Sequence, residues 1–208
     1  LHYVLDLWVE RWRRRETTGH VILVRDADDF IVGFQHEADA RRFLDEMRER
    51  LREFALSLHP EKTRLIEFGR FAAERRKRCG LGKPETFDFL GFTFICGTTR
   101  SGKFQLRRKS RRDRMKAKLR MIKEELRQRM HQSIPVQGRW LGRVVRGYFN
   151  YHAVPTNARA LDTFRHHVSD LWRRTLRRRG RKDGITWQRS RQPADAWLPN
   201  PIFLPPWP

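Results

Sequence analysis

The chain has 208 residues, 38% of them hydrophobic, which suffices for a buried core in one or two domains. Its 46 Lys and Arg against 24 Asp and Glu give a net charge of +22 and a pI near 11.4, which favours a polyanionic partner through phosphate neutralisation and counterion release, nucleic acid before an acidic membrane surface. Cys79 and Cys96 have neither CxxC spacing nor a nearby His pair, so neither a zinc site nor a disulfide framework is supported; no apolar run approaches the roughly 20 residues of a spanning helix, no signal peptide opens the chain, and an intracellular, cytoplasmic location is expected.

Val4, Leu5, Trp8, Val9 and Trp12 recur at helical spacing, so residues 1–15 read as a helix, followed by a polar linker at Thr17, Thr18 and Gly19. The chain enters this pattern at Leu1 without an initiator Met and reads as the later part of something longer. HVILVRD and FIVGF are β-branched and aromatic runs around a short acidic turn, the pattern of a hairpin. Phe43, Leu44, Met47, Leu51, Phe54 and Leu58 predict an amphipathic helix from Glu37 to about Leu58 covering a sheet. A loop at Pro60 leads to an expected short strand near Thr63 to Phe68, a basic connection over 70–85, a strong strand in TFDFLGFTFICG, a turn at Arg100 to Gly102 and a partner strand KFQLRR.

After Arg108 the period becomes helical. Met115, Leu119, Ile122, Leu126 and Met130 make one stripe; Val136, Trp140, Leu141, Val144, Val145, Tyr148 and Phe149 a second; Leu161, Phe164, Val168, Leu171 and Trp172 a third. Gly138 weakens the first turn of the second helix, and Pro155 and Asn157 separate it from the third. From Gly180 the chain is Pro-rich and reads as an extended, irregular tail. The expected fold is α+β: antiparallel strands with covering helices over residues 1–105, a basic three-helix bundle over 106–178 and a tail over 179–208.

Charge follows this division. Residues 1–104 hold 20 Lys and Arg against 17 Asp and Glu, whereas residues 105–208 hold 26 against 7. Polyanion contact therefore belongs mainly to the second half.

Asp26, Asp28 and Asp29 fall within four positions at the hairpin turn. Adjacent carboxylates at a tip can reach a divalent cation, and magnesium suits such a site because it takes one or two carboxylates and completes its octahedron with water and substrate phosphates. The alternative is that Asp serves the turn itself, hydrogen-bonding its own backbone. A small metal-dependent nuclease is a further reading, but no His, Asp or Glu cluster completes its site.

The order of hairpin, amphipathic helix, LHPEKT at 58–63, FLGFTF at 89–94 and basic helical bundle resembles the reverse transcriptase/maturase encoded by group II introns. In that family the acidic hairpin is typically YADD, here DADD at 26–29; RGYFNYH at 146–152 resembles the RGW.NYY core of the maturase thumb, and WLPNPIFLPPWP resembles the family's closing tail. The resemblance implies a partial polymerase palm followed by a maturase-specific thumb, with Asp28 as principal Mg2+ ligand, Asp29 as its supporting carboxylate, and Leu90 and Gly91 near the primer end. It implies structured intron RNA as ligand, assistance of splicing, and a DNA primer or target for RNA-directed DNA synthesis. Asp26 replaces the motif's Tyr, adding negative charge where phosphates approach. The family's other metal-binding Asp and its fingers would precede residue 1, and Asp6 does not match that ligand, so this chain alone is expected not to polymerise DNA. A non-catalytic RNA-binding splicing factor, or a decayed fragment, is the other reading.

Within RRKSRRDRMKAKLRMIKEELRQR, residues 107–129, cations surround one apolar stripe, so a helix can pack while presenting charge to phosphates. The expected RNA contacts are Arg107, Arg108, Lys109, Arg111 and Arg112 there, and Arg173, Arg174, Arg177, Arg178 and Arg179 in RRTLRRRGRK. A solvated charged face is the alternative. Trp140, Tyr148 and Phe149 read as core, His166 and His167 as surface, and Trp187, Trp197 and Trp207 as either packing the tail down or stacking on bases.

Overall fold

Alternation along residues 21–34 decides how the first part of the chain folds. Strands β1 (Val21–Asp26) and β2 (Asp29–Phe34) pair antiparallel, with Val21 opposite Phe34, Leu23 opposite Val32 and Arg25 opposite Phe30. Their inward side chains meet Leu5, Val9 and Trp12, and then Phe43, Met47 and Leu51 of helix α2 (Glu37–Glu53), all buried. Leu5 belongs to wide π-type turns over His2–Asp6 that run directly into helix α1 (Leu7–Arg15). Trp8, Trp12, Phe34 and Phe43 form a ring cluster with centroids 4.9–6.4 Å apart, an arrangement that adds about 0.5–1.5 kcal/mol per pair beyond area burial. The Trp12 indole donates to Glu46 at 2.6 Å. Asp39, buried in the first turn of α2, accepts from the Thr18 amide and hydroxyl at 3.2 Å each and anchors the linker.

This computed structural model describes residues 2–179 and 195–203, and the chain divides into two units, Leu1–Glu67 and Phe68–Pro208, each with its own core. Helix α2 stops earlier than its apolar spacing predicts. The Leu56 amide donates to the Leu51 carbonyl (2.9 Å) and the Ala55 amide to Arg52 (3.1 Å), with Ala55 left-handed at φ 55°: a Schellman closure that turns Phe54 and Leu58 off the helix. The strand expected near Thr63 to Phe68 is absent, because the segment joins no ladder, and a strand exists only through its neighbours' hydrogen bonds.

In the second unit the basic connection contains helix α3 (Ala72–Arg78), which has good helix formers but is too short to show an apolar stripe. The single strand expected in TFDFLGFTFICG is instead two, β3 (Phe87–Phe89) and β4 (Phe92–Thr98), folded back at Leu90 and Gly91. Both turn residues have positive φ, 48° and 73°, the twist that suits a two-residue hairpin loop. Phe87 stacks on Phe94 across the pair at 4.9 Å. Strand β5 (Phe104–Ser110) completes a three-stranded antiparallel sheet in the order β3-β4-β5.

Helices α4 (Arg112–Gln128), α5 (Ile134–His152) and α6 (Ala158–Arg179) follow the three predicted stripes. Ile122, Leu126, Leu141, Val145, Phe149, Leu161, Phe164, Val168 and Trp172 form the core, with Leu198 from the tail. Gln137 is fully buried among them. Its amide nitrogen donates to the carbonyls of Arg129, Met130 and Gln132, its oxygen accepts from the Trp172 indole at 2.8 Å, and one side chain thereby closes the α4–α5 connection. Gly138 and Gly142 share a face of α5 that the tail covers: a methyl group on Gly138 would fall 2.5 Å from the Trp197 ring, and one on Gly142 2.8 Å from the Trp197 carbonyl. Arg165 holds that segment through Asp195 and the carbonyls of Leu198 and Pro199. Trp197 therefore packs the tail down; Trp187, Trp207 and most of the tail prolines lie outside the described residues. The molecule is a mixed α+β fold, and among the described residues no helix is long and apolar enough to cross a membrane.

Candidate functional site

The acidic turn is set by the last rung of its hairpin. Asp26 pairs with Asp29, leaving Ala27 and Asp28 as a two-residue loop, and Ala27 takes the left-handed conformation at φ 54°, which costs a non-glycine residue about 1–2 kcal/mol. Arg25 offsets that strain. Its guanidinium donates through two nitrogens to both oxygens of Asp6, at 2.7 Å each, and through a third to the Ala27 carbonyl at 2.8 Å. Hydrogen bonding from Arg25, more than charge proximity, holds the Asp6 carboxyl below its ordinary range, so Asp6 is committed to structure. The carboxylates of Asp26, Asp28 and Asp29 are exposed and take no hydrogen bond or ion pair among the described residues.

As donors, the adjacent Asp28 and Asp29 fit magnesium, which needs few protein oxygens. They do not form a closed cage: among the described residues no three His, Cys, Asp or Glu side chains come together as a metal site. A cation here would rest on the turn carboxylates, water and substrate phosphates.

Leu90 and Gly91 lie in the second unit, docked on α5. The Tyr151 hydroxyl donates to the Leu90 carbonyl at 2.9 Å, the Arg111 amide donates to the Gly91 carbonyl at 3.0 Å, and Phe92 stacks on Tyr151 at 5.9 Å. Ser110, His152 and Asn157 make a buried polar joint beside them. Asn157 accepts from the Ser110 amide at 3.0 Å and donates to the Ser110 hydroxyl and the His152 carbonyl at 2.8 Å each, and Ser110 Oγ meets His152 Nδ1 at 3.3 Å. Burial holds the His152 imidazole below its usual pKa.

The cations expected to meet RNA differ in their availability. Arg107 is exposed and crosses Gly97, whose missing side chain makes room for it, to reach the Thr98 carbonyl. Arg108 is half-buried; Lys109 and Arg112 are exposed and meet no carboxylate among the described residues. Arg111 is held by Asp113 at 2.6 Å and Asp88 at 3.5 Å, and Arg173 and Arg174 share Asp170 at 2.7 Å each. Arg177 and Arg178 are exposed, and the side chain of Arg179 lies outside the described residues. A further row escapes reasoning from charge runs. Arg139, Arg143 and Arg146 are exposed along α5, which carries no acidic residue; their spacing of four and three is the signal that marks one helical face.

Charge separates by unit. Residues 1–67 carry 12 Lys and Arg against 14 Asp and Glu, and residues 68–208 carry 34 against 10. Residues 1–94, which include the acidic hairpin and the Leu90–Gly91 turn, match the family model for reverse transcriptase (RNA-dependent DNA polymerase). No curated protein matches the chain.

Proposed function

We propose that the chain is the later part of a group II intron-encoded reverse transcriptase and maturase, acting in a bacterial cytoplasm or an organelle. The second unit binds structured intron RNA and assists splicing, while the acidic turn, together with the family's fingers and other metal-binding Asp, serves RNA-directed DNA synthesis on a DNA primer. The observation that carries this reading is the charge division, with 34 cationic against 10 acidic residues after Glu67, beside a reverse transcriptase match over residues 1–94.

Recognition is by backbone and shape, because the deep groove of A-form RNA hides its base edges. Lys109, Arg112, Arg177 and Arg178 project from β5, α4 and α6 into solvent, and neutralising phosphates there stabilises a compact RNA fold while the RNA itself performs transesterification. Asp28 and Asp29 would hold Mg2+, which when bound would supply charge to activate a hydroxyl nucleophile and stabilise the leaving pyrophosphate. Leu90 and Gly91, held rigid by Tyr151 and Arg111, would position the primer end.

A filter-binding titration with intron RNA tests this. Affinity falls linearly on logarithmic axes between about 50 and 200 mM salt, and K109Q and R112Q each lower the slope by about one. R111Q changes it less, since Asp113 and Asp88 already engage that guanidinium. A flat salt response overturns the reading. A non-catalytic splicing factor is favoured by one observation, Asp26 paired against Asp29 at the turn, which places a third negative charge where phosphates must approach. Primer extension with the fingers and the other metal-binding Asp supplied by an upstream segment separates the two: Mg2+-dependent product that D28N abolishes supports the polymerase, and absence of product from that complete protein supports the binder.

A further inference from the structure

Between α4 and α6 runs a groove of about 320 Å3 lined by Leu119, Arg120, Lys123, His167, Asp170, Leu171 and Arg174. Its α4 cations, Arg120 and Lys123, lie within the basic run at 107–129 but are not among the RNA contacts expected from it. Leu119 and Leu171 pack against the bundle core and give the groove an aliphatic floor. Arg120 and Lys123, three positions apart, rise from one wall, exposed and without a carboxylate partner among the described residues. The nearby acids of α4 are already engaged, Glu124 with Arg127 at 3.4 Å and Glu125 with Arg129 at 3.1 Å.

On the other wall Asp170 is the one carboxylate lining the groove, and both of its oxygens are occupied: Oδ1 by Arg173 and Oδ2 by Arg174, at 2.7 Å each. Two guanidinium groups on one carboxylate leave that wall positive as well. Arg174 remains two-thirds exposed and keeps N–H donors beyond the one that Asp170 uses. Cations therefore face each other across an apolar floor, which suits a small anion with several acceptor oxygens, and the floor removes water from one side of the contact.

Resting on the RNA-binding reading, we propose that this groove seats one backbone phosphate of the bound RNA, gripped by Arg120 and Lys123 from α4 and Arg174 from α6. Because the contact is to phosphate, it fixes register without reading sequence.

The test is a salt titration of the full chain with RNAs of different sequence. R120Q/K123Q should lower the salt slope by about one, the share of a single phosphate contact, and weaken binding evenly across sequences, with a melting temperature no lower than wild type. The charge-retaining R120K/K123R should keep the wild-type slope, and D170N, which removes the groove's acid, should steepen it. An R120Q/K123Q slope equal to a steep wild-type slope overturns the proposal while leaving the RNA-binding reading intact; loss of slope in R120K/K123R overturns it in favour of a packing role. A wild-type slope that is itself flat overturns the underlying reading instead.

Discussion

Arg25 shows how one side chain can fix a turn that carries other chemistry. It grips Asp6 with a bidentate fork and the Ala27 carbonyl with its remaining nitrogen, so D6N should cost about 1 kcal/mol in a denaturant melt, as expected for a well-oriented, partly exposed pair. The folded Asp6 carboxyl titrates below its unfolded value of 3.8; its contribution is present above that value and is lost as pH falls through the folded pKa. Acid titration of wild type against D6N measures the difference. His152 acts in the same sense at higher pH. Burial lowers its pKa from 6.5, so the neutral ring stabilises the fold above 6.5, and stability declines as pH falls below that towards the folded pKa. H152Q should flatten this part of the profile. The turn position of Asp28 and Asp29 was legible in the sequence because acids cluster between two strand-like runs. Gln137 was not, since a lone amide beside a helical stripe has the same signature whether it faces water or four internal partners.

At the scale of elements, conformation at single positions decides where helices and strands end. Ala55 closes α2 at φ 55°, where glycine is the unstrained choice, and A55G should raise stability by about 1 kcal/mol in thermal or denaturant melts. The glycines of α5 separate by environment. A methyl group at Gly147 would meet nothing within 4 Å, so G147A should stabilise by about 1 kcal/mol through helix propensity alone. G142A meets the Trp197 carbonyl at 2.8 Å and should instead cost about 1–3 kcal/mol, the usual toll of overpacking. Helix periods were readable in the bundle because three stripes repeat over many turns, whereas α3, Ala72–Arg78, is too short to show one. The β3–β4 reversal was not, since the apolar run continues through Leu90 and only Gly91 hints at a bend. The expected strand at 63–68 failed for the opposite reason: composition reports strand preference but not whether a partner exists.

For the whole molecule, charge is the governing quantity. The second unit's excess of cations repels itself, so raising salt from about 20 to about 200 mM should raise the melting temperature while RNA affinity falls. Opposite responses from one variable distinguish screening from a general salt effect on packing. The docked tail bears on how the bundle comes into being. Gly138 and Gly142 are complemented by Trp197, a residue that emerges from the ribosome 55 to 59 positions later. Until then α5 waits with an open notch, so nascent chains stalled before Trp197 should remain protease-sensitive where finished ones resist.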